Sequence, residues 1–299
     1  MRVGVTGGTG FIGSHVVDSL VDAGHDTRVI DTIPPSRNDV EFVSTNIVNF
    51  EELKSALSNL DALFHLAAVS NIVNYAQKPV FSTKVNVEAT VNLLEGCLRY
   101  DVDRFIFAST VWVYGAAREM IVDESTPISL EGAGHPYTTS KIASELFIQD
   151  YVRLYGQNST ILRYGIPYGP RARRGTVIPV FVERIMAGQN LTIFGDGNSG
   201  RNFIYVKDLA EGNVCALSPK AKNEVYNLDG SEEITLNRIA RTAIEILGAD
   251  VSVEYKEARP GDYINRQVSI EKAKDQLDWE PTTKFEEGLK LYIDWIRNQ

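Results

Sequence analysis

A doubly wound parallel α/β sheet is the fold class that this sequence predicts, and three observations carry the prediction. Short apolar runs alternate with stretches of helical period over the first 166 residues. Those runs, such as Arg104-Phe-Ile-Phe-Ala108, are nearly continuous in apolar character, as expected of strands covered by helices on both faces. A glycine-rich turn joins the first run to the first helix.

Taken in order, Arg2–Thr6 is a strand, and Ile12, Val16, Leu20 and Ala23 mark the buried side of a helix that Gly24 closes. Thr27–Asp31 and Glu41–Thr45 are strands. Asn49 and Glu52 form a capping box for a helix through Leu57. Asp61–Leu66 is the next strand, running into Ala67-Ala68. Pro79 opens a long helix with two apolar stripes, one of Val87, Val91, Leu94 and Leu98, the other of Phe81, Ala89, Leu93 and Cys97. Arg104–Ala108 ends in Ser109-Thr110. Pro136 starts another helix, and Thr160–Tyr164 is a further strand.

Beyond Ile166 the rhythm changes to loops, short strands and arginines. Val177–Ala187 is a helix ended by Gly188, followed by strands at Leu191–Phe194 and Arg201–Tyr205. Lys207–Leu217 is a helix, and Glu224–Leu228 is a strand that returns to the main sheet. Helices near 235–247, 269–277 and 284–297 finish the chain. The expected organisation is a Rossmann-type cofactor domain over 1–166, revisited at about 206–229. Residues 167–205 and 230–299 form a smaller α/β substrate-binding domain interleaved with it.

With 299 residues, 43% of them hydrophobic, the chain can bury a sizeable core. A net charge of −9 argues against nucleic-acid and membrane partners, so an anionic ligand must be met by local arginines. Cys97 and Cys215 lie far apart in helical patterns, which points to reduced thiols and a cytoplasmic location. The chain opens directly on a strand, with no apolar leader before it, and no apolar run reaches membrane-spanning length. The four histidines and two cysteines show no metal-ligand spacing.

Glycines at 7, 10 and 13 allow the backbone to approach a pyrophosphate at the start of the first helix. Asp31 ends the second strand, where an acid accepts hydrogen bonds from an adenosine ribose and repels a 2′-phosphate. NAD is therefore favoured over NADP. Gly10, Asp31, Ala67, Thr110 and Tyr164 all fall at or just past strand carboxyl ends, where such sheets bind ligands.

Tyr137 and Lys141 share one helix face at spacing i, i+4. A free Tyr has a pKa of about 10, and bringing it to 7 needs about 4 kcal/mol of preference for the phenolate. One ammonium at roughly 6 Å supplies about 3 kcal/mol at an effective dielectric of 20. Lysine alone falls short, and a second positive charge is required.

These motifs together resemble the extended short-chain dehydrogenase/reductases, and among them the NAD-dependent nucleotide-sugar epimerases. The resemblance rests on Thr6-Gly-Gly-Thr-Gly-Phe-Ile-Gly13, His65-Leu-Ala-Ala68, Val85-Asn-Val87, Tyr114-Gly115 and Pro136-Tyr-Thr-Thr-Ser-Lys141. It continues in Leu162-Arg-Tyr164, Tyr168-Gly-Pro-Arg171, Phe194-Gly-Asp-Gly197, Arg201 to Asp208, and Arg259-Pro-Gly-Asp262.

The resemblance implies 4-epimerisation of a nucleotide-diphospho-sugar, with UDP-glucose and UDP-galactose as the expected pair. The sugar is transiently oxidised at C4, and hydride returns to the opposite face. Tyr137 is the implied acid–base, Lys141 holds the nicotinamide ribose and lowers the tyrosine pKa, and Thr110 bonds the reacting oxygen. The nicotinamide of tightly held NAD⁺ supplies the second charge. Gly7, Gly10, Phe11, Ile12, Gly13, Asp31, Asn46, Ile47, Leu66, Ala67, Ala68, Asn86 and Tyr164 complete the implied cofactor site. Val177, Thr192, Phe194, Arg201, Arg259 and Asp262, with Thr110, form the implied substrate site, the arginines meeting the diphosphate. His65 is expected to be a packed imidazole without an acid–base role.

Related dehydratases carry Asp-Glu directly after the catalytic Thr, and decarboxylating relatives carry a Glu three before the Tyr-Gly glycine. Here Val111 and Trp112 stand at those positions, which leaves epimerisation. Departures from the family pattern are Ile166 in place of a substrate-holding Asn, Arg266 at the position that gates the sugar C2 substituent, and an insertion-like loop at 130–134. In this family the helices near 80–99 and 138–155 pair in a homodimer. A reductase or dehydrogenase of a nucleotide-linked sugar, and a non-catalytic NAD-binding sensor, are the alternative readings.

Overall fold

A computed structural model describes residues 1–117, 119–129, 133–257 and 267–299. Seven parallel strands form the main sheet, in the order Glu224–Leu228, Asn158–Tyr164, Arg104–Thr110, Ala62–His65, Arg2–Thr6, Asp26–Asp31, Glu41–Ser44. The strand order reverses beside Arg2–Thr6, so the glycine turn after Thr6 opens at the switch point where parallel sheets bind ligands. Thr6 registers with Ile30 and His65, and Thr110 with Tyr164, which brings the expected site residues to one edge. The return of Glu224–Leu228 to this sheet agrees with the sequence reading.

The strands are apolar throughout because both faces are covered. Val3, Val5, Phe64, Ile106 and Leu162 pack on one side with the first helix, Phe11–Asp22. Leu63, Phe105, Phe107 and Ile161 pack on the other with the 79–99 helical run. A separate core of Phe181, Ile185, Ile193, Ile234, Ile239, Leu289 and Ile293 lies under three later helices, Val177–Met186, Leu236–Leu247 and Phe285–Arg297. Beside it run a three-stranded sheet, Glu233–Thr235, Gly200–Tyr205, Ile166–Tyr168, and the pair Val253–Lys256 with Leu191–Phe194.

His15 joins the two parts. Its Nε2–H donates to the carbonyl of Pro170 at 2.9 Å, and Nδ1 accepts from Arg171 at 2.8 Å, which fixes a neutral ring. Burial takes its pKa down to about 4. Arg171 also pairs with Asp18 at 2.6 Å, so the cofactor-side helix grips the loop that follows Tyr168.

Three local readings change. The Asn49–Glu52 box forms only in part: Asn49 accepts from the Glu51 amide, but Glu52 reaches back to the amide of Asn46 and to the Asn49 side chain. A 3₁₀ turn at Phe50–Glu52 precedes the helix Leu53–Leu57, which shifts the cap geometry. The run from Pro79 is interrupted by a π turn at Lys84–Glu88. That turn moves the register, so Ala89, Leu93, Leu94 and Cys97 are buried while Phe81 is exposed. The strand from Arg104 runs on through Thr110, placing Ser109 and Thr110 on the sheet itself. The segment 130–134 is described only at Ala133 and Gly134, and the remainder of that loop lies outside the described residues.

Candidate active site

A single cleft of about 1280 Å³ runs from the glycine turn to the loops around Phe194 and Arg201. Its floor is the strand-end edge of the main sheet, and its far wall comes from the 166–179 and 194–203 segments. Among its described lining residues, four are cationic (Lys141, Arg171, Arg173, Arg201) and two acidic (Asp31, Asp196), in a chain whose net charge is −9. The cationic side chains gathered here would meet an anionic ligand locally despite the acidic chain.

At one end the backbone forms a cradle. Gly7 has φ +69, and a Cβ there would lie 2.8 Å from Ala67. A Cβ on Gly13 would lie 2.0 Å from the Gly7 carbonyl oxygen, so helix and turn meet at a distance only glycine permits. The helix begins at Phe11 with its first amides directed into the cleft end. Asp31 Oδ2 accepts from the Thr9 amide at 3.2 Å and hydroxyl at 2.8 Å, and retains acceptor capacity for a ribose. Thr9 was not singled out from sequence. Phe11, Ile12, Asn46, Ile47, Leu66, Ala67 and Ala68 line the same end. The donor set and the cradle fit a dinucleotide.

Asn86 does not line the cleft. It is 1% exposed and sits one layer behind, accepting from the Val69 amide at 2.8 Å and donating to Ser140 Oγ at 3.0 Å. The π turn turns its carbonyl to the hydroxyls of Thr90 and Ser144, at 2.7 and 2.9 Å. Asn86 thus braces the cleft wall against the helix that bears Lys141. Thr192 is also away from the cleft. It faces the same side of its strand as Phe194 but lies two residues, roughly 7 Å, farther from the rim. Phe194, Val177 and Arg201 line the cleft as expected, with Arg201 donating to the Gly200 carbonyl at 2.8 Å. Arg259, Asp262 and Arg266 lie outside the described residues.

Thr110, Tyr137 and Lys141 meet in the middle. Pro136–Tyr155 is a single helix, begun by Pro136 and closed by Gly156 in the left-handed conformation. Lys141 Nζ donates to the Ala108 carbonyl at 2.7 Å, and lies 4.5 Å from the Phe107 ring centroid and 5.9 Å from that of Tyr137. Burial brings the Lys141 amine down to about 7, although Glu145 one turn later pulls it upward. Burial pushes the Tyr137 phenol up to about 12, with Arg173 acting the other way. Lysine alone thus falls short of making this tyrosine a base, as its spacing indicated, and burial widens the deficit. Thr110 both lines the cleft and accepts from the Trp112 amide at 3.3 Å, so its hydroxyl caps the next turn as well. Tyr164 lines the cleft with its ring, its hydroxyl being spent on Asn213. Behind these residues, Glu145 holds Arg163 at 2.7 Å and accepts from the Ser109 hydroxyl, a buried network tying three elements together.

His65 is buried and neutral, bonded to Thr6 at 2.8 Å and Thr90 at 3.1 Å, as expected of a packed imidazole. Sequence reasoning assigned no role to Trp112, His135, Arg171 or Arg173. The arginine cluster at 171–174, where the strand–helix rhythm breaks, was the available signal for the last two.

The family model described as "NAD dependent epimerase/dehydratase family" matches residues 3–229. A putative UDP-glucose 4-epimerase of Methanocaldococcus jannaschii is 35% identical over 98% of both chains. UDP-glucuronic acid decarboxylase 1 of Arabidopsis thaliana is 33% identical over 100% of this chain and 70% of its own. The crystal structure of UDP-glucose 4-epimerase from Thermotoga maritima with UDP-glucose superposes with a TM-score of 0.91. It is 34% identical and covers 100% of this chain and 99% of its own.

Proposed function

This chain belongs to the NAD dependent epimerase/dehydratase family, and we propose that it interconverts nucleotide-diphospho-sugars epimeric at C4, with UDP-glucose and UDP-galactose the favoured pair. The observation that carries this reading is the convergence of Thr110, Tyr137 and Lys141 on one cleft whose neighbouring positions, Val111 and Trp112, bear no carboxylate. Eliminating water across C5–C6 needs an added acid and base; moving hydrogen on and off one carbon does not.

Bound NAD supplies reversible hydride chemistry at the sugar carbon. The chain's residues do the rest. Tyr137 takes the C4 hydroxyl proton and gives it back, Thr110 bonds the same oxygen, and Lys141 holds the cofactor ribose while presenting its charge to the phenol. At about 12 the phenol is a poor base near neutrality, so the cofactor's own positive charge has to complete the shift. Because the hydride leaves and returns within one cycle, tight retention of the cofactor follows from this chemistry. Arg201, with Arg259, serves the diphosphate, and Phe194 the nucleotide base. The sheet with its cleft edge serves as cofactor domain, and the 167–205 and 230–299 segments as substrate domain.

Tyr137→Phe tests the reading: the rate falls by orders of magnitude while NAD stays bound, and a variant near wild-type rate contradicts it. We also infer a homodimer. Leu146, Phe147, Leu154 and Tyr155 on the tyrosine helix, with Val80 and Phe81 on its neighbour, are exposed apolar side chains that a partner helix pair would cover. Sedimentation at micromolar concentration reports it, and a monomer alone contradicts it. The unpaired Cys97 and Cys215 favour the reducing cytoplasm. No helix among the described residues is long and apolar enough to cross a membrane.

A further inference from the structure

Tyr137 is enclosed by two rings that neither cofactor binding nor nucleotide recognition requires. The imidazole of His135 lies 6.0 Å from the Tyr137 ring centroid, with planes 26° apart. The indole of Trp112 stands at 90° to Tyr137 at 6.2 Å, and touches His135 at 5.0 Å. All three separations fall in the range of attractive ring pairs. The three rings form a triangle in which each lies against the other two.

Both added rings are anchored to the reacting unit. His135 is the N-cap of the tyrosine helix, and its Nδ1 accepts from the Thr138 amide at 3.3 Å. Trp112 donates its amide to the hydroxyl of Thr110 at 3.3 Å, and its ring lines the cleft. The same two residues that face Tyr137 are therefore fixed by the helix that carries it and by the threonine beside it.

The geometry points to His135 and Trp112 as positioning residues that hold the Tyr137 phenol in the one orientation from which it reaches the sugar hydroxyl. This rests on the acid–base reading of Tyr137. A misdirected phenol costs rate in the chemical step and leaves binding of the distant nucleotide unchanged, because that end is held by Phe194 and Arg201 across the cleft.

Two substitutions separate ring from cap. His135→Ser keeps a preferred N-cap side chain and removes the stacked ring. His135→Phe keeps a ring and removes the cap. We expect His135→Ser to lower kcat about tenfold or more with KM within about threefold, and His135→Phe to stay within about threefold of wild type in kcat despite a lower Tm. In the cofactor-free protein, His135→Ser should weaken the near-ultraviolet circular dichroism of the tryptophan and tyrosine bands with the far-ultraviolet spectrum unchanged; His135→Phe should preserve it. The opposite order, with Phe more damaging to kcat than Ser, makes His135 a cap alone and overturns the proposal. Wild-type kcat in both variants overturns it too. If the wild-type protein interconverts no nucleotide sugar, the proposed function has failed, while the cofactor-free spectra still decide whether the rings are coupled.

Discussion

Lys141 Nζ donates to the carbonyl of Ala108 over 2.7 Å, 5.9 Å from the centroid of the Tyr137 ring. The amine is thereby held at the strand end, with Nζ 4.5 Å from the centroid of the Phe107 ring. This bond sets the geometry of the pair, while the burial of the amine sets the sign of a pH effect.

Burial holds the Lys141 amine down to about 7, against about 10.4 in an unfolded chain. Below the folded value both states carry the proton, and folding bears the full cost of the buried charge. Between the two values the unfolded chain binds more protons, so stability contributed through this group rises with pH. We expect the cofactor-free protein to gain stability from about pH 7 to 10 relative to Lys141→Met, by up to a few kcal/mol. Urea unfolding at a series of pH values measures it. A variant with the wild-type pH slope contradicts it.

Gly165 and Asp229 form a second coupled pair, 64 positions apart in the chain. A Cβ on Gly165 would lie 1.7 Å from Asp229 Oδ1, so the carboxyl group occupies the space a side chain would take. Gly165→Ala should destabilise by about 1–3 kcal/mol, as overpacking does, and Asp229→Gly in the same chain should restore most of it. Burial also raises the Asp229 carboxyl to about 8, against which the Gly230 amide donates at 2.8 Å. Between about pH 4 and 8 the unfolded chain has released this proton and the folded chain has not, so stability falls as pH rises. Asp229→Gly should remove that decline. An additive double mutant, or an unchanged decline, contradicts the coupling.

The sheet and its helices were legible because apolar runs and helical periods are local signals. Gly7, Gly10 and Gly13 were legible for the same reason, as was the Tyr137–Lys141 spacing. Asn86 was misplaced because a π turn changes which side of a helix faces the cleft, and residue types do not announce that turn. Thr192 was misplaced because strand period gives the face and not the distance to the rim. The Trp112–His135–Tyr137 triangle and the Gly165–Asp229 contact join residues from different elements, so only the fold brings them together. The shortfall of Lys141 as the only activator of Tyr137 was legible in the spacing, but the further rise from burial was not, because desolvation depends on what packs around the ring.

A redox-neutral exchange at C4 consumes no cofactor, and this can be measured. The purified protein is incubated with UDP-glucose, UDP-galactose and their N-acetyl forms, with no NAD added, and the products are separated by epimer. We expect at least one pair to interconvert to equilibrium on the retained cofactor, with no net NADH formed or consumed. Turnover that appears only with stoichiometric NADH would contradict it, and would make the chain a reductase.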